Sequence, residues 1–305
     1  MRVVVAGGGS IGSLFAAHLA RVAEVTVLTR RAEHAAALRE QGLRVSGRAD
    51  FTAQVAATAD PAELGEADLV ILACKGTDLE PLAGQLAGRL PGATVMTVQN
   101  GLGAEEIVGA HGDWPLLSSV TFMSGTRHGD AHVEYVLDTA TWIGPHRGTT
   151  HADALRVAEL IESGGLKAEA FADLRPAQWS KLIFNATVNG VAALTELPHD
   201  FHFAETERLS DLGHLVRDLV DEGRAVATAA GVALHDDPWE MNLLATQRGF
   251  RHSPSMLEDV EARRPTELEL INGALVREAR RHGVAVPLQT AVYRLVKAKE
   301  ASYSE

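Results

Sequence analysis

Lys181, Asn185 and Asn189 stand at every fourth position of the stretch KLIFNATVNG, with Leu182, Ile183, Phe184, Ala186 and Val188 between them. On a helix that spacing puts one ammonium and two carboxamides on a single face. Two readings fit: a polar face turned to solvent, or a row of groups lining a cleft. In the second, the lysine could stabilise negative charge growing on a substrate oxygen and hand that oxygen a proton.

A second group lies at the N-terminus, where AGGGSIG carries G-x-G-x-x-G as Gly7, Gly9 and Gly12, with Ser10 and Ile11 inside it. The pattern follows an expected strand and opens an expected helix at the start of a βαβ unit, the context that a dinucleotide-binding loop requires. Gly7 permits the tight turn, Gly9 lets the backbone approach a pyrophosphate, and Gly12 lets helix and strand pack closely. The helix N-terminus offers N–H groups to the phosphates. The bland alternative is a plain strand-to-helix turn. At the end of the next expected strand, where an NAD site normally carries Asp or Glu, the chain has Thr29, Arg30 and Arg31. A carboxylate is missing where it would repel a 2′-phosphate, and two guanidiniums are present where they could pair with one. The expectation is NADP over NAD, with Arg30 the leading contact and whichever arginine points away a solvated charge. Lys75 in ILACKGTD and Asn100 in TVQNGLG follow later expected strands, at the ends where ligands lie in open α/β sheets. Each is placed to meet cofactor or substrate; each could equally hold a turn, Asn100 especially as half of an Asn-Gly pair.

The elements that must position these groups alternate at first. RVVVAG, EVTVLT, ADLVILAC and TVMTVQN read as strands, and SIGSLFAAHLARV, AEHAAALREQG and LEPLAGQLAGRL as helices between them. LRVSG and FTAQVAAT read as a hairpin joined near Gly47. From about Leu116, LLSSVTFMSG, AHVEYV and TATWIG are expected strands without intervening helices, closed by the helix ADALRVAELIESGG and the strand KAEAFA. Beyond Asp173 the pattern is helical, over 176–194, about 204–230, about 238–248, 264–282 and 288–300, with Pro265 in the first turn of the fourth. The expected fold is α/β: a Rossmann-type doubly wound sheet domain over residues 1–172, then an all-helical domain over 173–305, with the ligand in a cleft between them.

Composition excludes several classes. A net charge of −12 over 305 residues lacks the basic footprint of a nucleic-acid binder. No apolar run reaches membrane-spanning length, and the glycines follow MRVVVAGGGS too soon for a signal-peptide core, so that segment reads as the first strand. The single cysteine, Cys74, allows no intrachain disulfide and fits a reducing cytoplasm. The thirteen histidines show no metal-ligand spacing, so no metal is expected. The apolar faces in 204–230 and 288–300 leave both intrachain burial and a homodimer open.

Taken together, AGGGSIG, CKGTD, QNGLG, KLIFNATVNGVAALTEL and SPSMLEDVEARRPTELELINGALVREARRHGVAVP resemble the ketopantoate reductase (2-dehydropantoate 2-reductase) family, within the wider 6-phosphogluconate-dehydrogenase-like group, in order and over nearly the whole chain. The resemblance implies NADPH-dependent reduction of 2-dehydropantoate to pantoate, on the route to pantothenate and coenzyme A. It implies that Lys181 protonates the ketone oxygen as hydride reaches the carbon, and that Asn185 and Asn189 bind the hydroxyl end of the substrate. Ser255 matches the serine that contacts the substrate carboxylate, and Glu267 the glutamate beside the lysine and the nicotinamide ribose. Asp259 and Asn272 receive no chemical role, and Arg263 and Arg264 read as ordinary charges. Two departures stand out: Gly190 where proline is usual, and His199 roughly where a further asparagine is expected. They leave open a different small branched 2-oxo acid as substrate. A non-catalytic NADP-binding sensor would leave Lys181, Ser255 and Glu267 without purpose, and an opine-type dehydrogenase would need a His–Asp pair for which no placement is evident.

Overall fold

A computed structural model describes residues 1–204, 209–247 and 253–304. The chain divides into two compact units, Met1–Gln99 with Ala104–Leu174, and Asn100–Gly103 with Arg175–Glu305.

The first unit begins with β1 (Arg2–Ala6), α1 (Ser10–Leu19), β2 (Glu24–Leu28) and α2 (Ala32–Gln41). Two short strands follow, β3 (Leu43–Gly47) and β4 (Phe51–Ala53), then β5 (Ala56–Thr58), β6 (Leu69–Leu72), α3 (Gly76–Leu86), β7 (Thr94–Thr97) and α4 (Ala104–Gly109). The unit closes with β8 (Leu116–Thr121), β9 (Ser124–Gly129), β10 (His132–Leu137), β11 (Thr141–Arg147), α5 (His151–Ser163) and β12 (Ala168–Ala170). The main sheet has the order β12-β11-β8-β7-β6-β1-β2-β5, and within it only the β8–β11 pairing is antiparallel. Helices cover both faces. Val3 and Val5 of β1 join the cluster containing Leu14 and Phe15 of α1, while Val4 and Ala6 join the one containing Leu79 and Ala83 of α3. Burial on both sides is why RVVVA and LVIL run apolar without alternation.

FTAQVAAT departs from expectation. Its first part, β4, does form a hairpin with β3, but in a separate four-stranded sheet of order β4-β3-β10-β9. Its second part, β5, leaves that sheet and pairs in parallel with β2. A run of eight residues at strand propensity hides this change of sheet, because propensity carries no information about the partner. The short α4 was also not foreseen.

The second unit is helical: α6 (Arg175–Thr195), α7 (Asp211–Ala229), α8 (Pro238–Gln247), α9 (Ser255–Glu261), α10 (Asn272–Arg281) and α11 (Pro287–Ala301). Trp179, Ile183, Val220, Leu257, Ile271 and Val296 belong to its core. The helix expected from about 204 starts only after Ser210, whose side chain accepts from the Gly213 N–H; positions 205–208 of that expectation, and 248 of the next, lie outside the described residues. Of the helix expected over 264–282, residues 264–271 form a connector and only α10 is helical, while α9, just before that range, was not expected. Arg263 has a left-handed backbone (φ 50°) and Pro265 stands just past the end of α9. Both residues stop a helix there rather than start one.

Candidate active site

The glycine loop leaves β1 at Ala6. Gly7 has φ +116°, and a Cβ on it would lie 2.6 Å from the Cys74 nitrogen; on Gly12 it would lie 1.9 Å from the Gly7 carbonyl oxygen. Those two glycines are demanded by the chain itself. Gly9 differs: the nearest atom to a Cβ there is the Ala73 oxygen at 3.9 Å, and its φ is −73°. Nothing in the fold calls for glycine at this position, which fits a ligand that must come close to the backbone. No side chain caps α1 and its first turn holds no acidic residue, so Ser10 and Ile11 open a helix whose N-terminal N–H groups suit phosphate oxygens. A dinucleotide fits these residues.

The surroundings of the loop include a residue that motif reading missed. A Cβ on Gly8 would lie 2.6 Å from Cε1 of His34, a buried imidazole of α2 packed against the loop. Burial first, and then the Arg127 charge, push His34 below the ordinary histidine value, so it is a neutral buttress. The only sequence signal was a fourth glycine, Gly8, within the motif. Arg31 is held by Asp130 at 2.5 Å, and Arg127 shares the same carboxylate oxygen at 2.8 Å. Arg30 is 83% exposed at the side chain, with the Asp78 carboxylate 3.6 Å away. Of the two arginines, Arg30 therefore extends into solvent from the end of β2. Lys75 is exposed and occupies the N-cap position of α3.

In the second unit, Lys181, Asn185 and Asn189 are only 8%, 7% and 6% exposed, which rules out the solvent-face reading of their row. The Lys181 ammonium donates to Oδ1 of Asn100 at 2.8 Å. The Asn100 amide in turn donates to Oε2 of Glu267 at 3.0 Å. Burial pushes the Lys181 pKa from 10.5 down to about 8, with the Glu267 charge opposing that shift. Asn100 reaches these partners because its loop is pressed onto the segment before α10. The Leu102 N–H donates to the Leu270 carbonyl at 2.9 Å. Gly101 has φ +95°, and a Cβ on it would lie 1.8 Å from that same oxygen. Asn-Gly is thus a turn and a close contact at once. Ser255 is the exposed first residue of α9, and Oδ1 of Asn189 accepts from the Met256 N–H at 3.2 Å.

The two departures from the family pattern are matters of packing. A Cβ on Gly190 would lie 2.4 Å from Cγ1 of Val292, so glycine is what lets α11 lie against α6. His199 is buried, with Nε2 2.5 Å from Oδ1 of Asn242 and its ring edge-on to Phe203. Asn272 donates to the Ala186 carbonyl at 2.6 Å. Asp259 accepts from Arg264 at 3.1 Å, and Arg263 donates to the Ser302 carbonyl. Among the described residues, no group of three His, Cys, Asp or Glu side chains could hold a metal ion, and no helix is long and apolar enough to cross a membrane.

Comparison with known proteins bears on this arrangement. The family described as "Ketopantoate reductase PanE/ApbA" matches residues 3–148, and "Ketopantoate reductase PanE/ApbA C terminal" matches residues 173–300. The 2-dehydropantoate 2-reductase of Halobacterium salinarum is 32% identical, over 97% of this chain and 98% of its own. The chain belongs to the ketopantoate reductase family. It is an oxidoreductase of the 2-dehydropantoate 2-reductase type. A second such reductase, from Archaeoglobus fulgidus, is 30% identical over 98% of both chains. Among solved structures, a PanE/ApbA family ketopantoate reductase from Ralstonia eutropha covers all of both chains at 28% identity, with a TM-score of 0.90. A D-mandelate dehydrogenase solved with NADH and anilino(oxo)acetate shares the fold, at 24% identity over all of both chains and a TM-score of 0.88.

Proposed function

We propose that this ketopantoate reductase family member reduces 2-dehydropantoate to pantoate with NADPH, Lys181 serving as the general acid. The observation that carries the reading is the bonded series Lys181, Asn100, Glu267. When bound, the reduced nicotinamide supplies a hydride to the ketone carbon. Negative charge then grows on the ketone oxygen, and the Lys181 ammonium stabilises it and gives up a proton. A pKa near 8 suits the task, since the group is mostly charged at neutral pH yet a stronger acid than an ordinary lysine. Asn100 accepts a hydrogen bond from one of the three ammonium N–H groups and so fixes the direction of the other two. Glu267 favours the charged form. In this reading Ser255 meets the substrate carboxylate and Asn185 its hydroxyl. The Gly9–Gly12 turn takes the pyrophosphate, with Lys75 further along the sheet edge. Arg30 takes the 2′-phosphate, which selects NADP over NAD.

NADPH oxidation by the purified protein tests this, with 2-dehydropantoate beside a panel of other 2-oxo acids and Lys181→Ala as control. Turnover of 2-dehydropantoate that disappears in the control is the expected result. Faster turnover of another 2-oxo acid would overturn the substrate, and turnover that survives in Lys181→Ala would overturn the general acid.

A further inference from the structure

The parallel ladder between β6 and β7 runs from Leu69 opposite Thr94 to Leu72 opposite Thr97 and goes no further. Two residues beyond it, the side chain of Gln99 takes over. Its Nε2 donates to the Leu72 carbonyl at 2.7 Å and to the Cys74 carbonyl at 2.9 Å, across 27 and 25 residues of sequence. Both hydrogens of the amide are thereby committed. The oxygen of the same carboxamide is buried and finds no donor among the described residues. Turning the amide over would set that oxygen against two carbonyl oxygens, so the nitrogen side fixes its orientation. A buried acceptor left unmet destabilises the fold; here it is tolerated where two strand ends are clasped. Thr97 adds a second clasp. Its buried hydroxyl donates to Oε1 of the buried Glu105 at 2.8 Å, closing the base of the loop over 98–104.

The residue after Gln99 is Asn100, the partner of Lys181 and Glu267. Asn100 therefore stands between two anchored neighbours. Gln99 is tied to the end of β6, and Gly101 is pressed against the Leu270 carbonyl, which also accepts from the Leu102 N–H. We propose that Gln99 is a positioning residue: by prolonging the β6–β7 pairing past its ladder it fixes the backbone of Asn100, and through Asn100 the direction in which Lys181 presents its protons. The proposal rests on the reading of Lys181 as general acid with Asn100 as its guide. Gln99 acts on the reaction only through its neighbour. A loosened strand end would let the Asn100 carboxamide drift from the ammonium, and a misplacement of about 1 Å at a reacting group is enough to slow a chemical step.

The test measures NADPH oxidation, at saturating NADPH in a single turnover, with 2-dehydropantoate as substrate. It compares Gln99→Met, which keeps the length of the side chain and removes its donors, with Asn100→Ala and the double variant. Gln99→Met should slow the step about ten-fold, leave KM for 2-dehydropantoate within about two-fold, and add less than about two-fold when Asn100 is already alanine. A loss that multiplies fully with that of Asn100→Ala, or that appears in KM alone, would overturn the proposal. Should Gln99→Met fail to fold, Gln99→Glu gives the same comparison, being an isostere with at most one donor. Hydrogen exchange at the Leu102 amide, which is bonded to Leu270, provides a readout independent of turnover. It should quicken about five-fold or more in Gln99→Met; unchanged exchange would also overturn the proposal. Failure of the functional reading would look different: the unaltered protein would not turn over 2-dehydropantoate, while the exchange result would still decide whether Gln99 seats the loop.

Discussion

Replacing Lys181 with methionine removes a charge from the middle of the site while keeping an unbranched side chain of similar reach. Burial lowers the Lys181 pKa from 10.5 to about 8. At 1.36 kcal/mol per pKa unit, holding that ammonium in the folded protein at pH 7 costs about 3 kcal/mol. The folded pKa lies below the unfolded one, so between pH 8 and 10.5 the unfolded chain binds the proton more readily. Stability accordingly rises with pH across that window, and the cost is fully present below it. Lys181→Met escapes the cost but leaves Oδ1 of Asn100 without its donor, a loss of about 1 kcal/mol for a part-buried acceptor. The variant should therefore be about 2 kcal/mol more stable than the unaltered protein at pH 7 and about equal to it at pH 10. Turnover should fall by about 10²-fold to 10⁴-fold. Urea unfolding of both proteins at pH 7, 8, 9 and 10 measures the difference directly. A stability gap that stays constant over that range would refute the claim that Lys181 is held charged against its burial.

The same depressed pKa predicts the rate profile: keto-acid reduction should be flat at lower pH and fall about ten-fold per pH unit above about 8, as Lys181 loses its proton. Steady-state kcat from pH 6 to 10 checks it. Gly9→Ala should fold with an unchanged melting temperature yet lose dinucleotide binding by calorimetry, because only the Ala73 oxygen lies within 4 Å of the added Cβ. Gly12→Ala, placed 1.9 Å from the Gly7 oxygen, should lower the melting temperature itself. Arg30→Ala should raise KM for NADPH about ten-fold and leave KM for NADH unchanged, as expected for one charge-assisted contact at an exposed site; equal effects on both cofactors would remove Arg30 from the specificity argument.

Local chemistry was legible in the sequence wherever the signal and its cause sat within a turn or two of chain. The loop of Gly7, Gly9 and Gly12 could be read because a strand, a turn and a helix N-terminus are adjacent in the chain, and the helix carrying Lys181, Asn185 and Asn189 because four-residue spacing is a property of one element. The burial of that row was not legible, since a polar stripe looks the same in solvent or in a site. Pro265 misled because proline is common both at the first turn of a helix and just past a helix end; the left-handed Arg263 before it, which decides the matter, leaves no mark in the sequence. Bonds across 81 and 167 residues, from Asn100 to Lys181 and to Glu267, have no sequence signature in a single chain. His34 beneath Gly8 left only the extra glycine as its sign. The packing of Gly190 against Val292 and of His199 against Asn242 likewise left no mark in the sequence.

The tetrapeptide Asn100–Gly103 is flanked in sequence by the strands and helices of the first unit but is grouped with the helices of the second. That placement limits how this protein can recombine with its relatives. A chimera with a single crossover near residue 173 would inherit Asn100 and Gly101 from one parent, and Lys181, Glu267 and the Leu270 carbonyl from the other. Each half could fold faithfully and the hybrid could still be inert, because the proton donor would have lost a guide selected alongside it. Viable exchange would need two extra crossovers to carry four residues along with the helices, or parents in which that tetrapeptide is already the same.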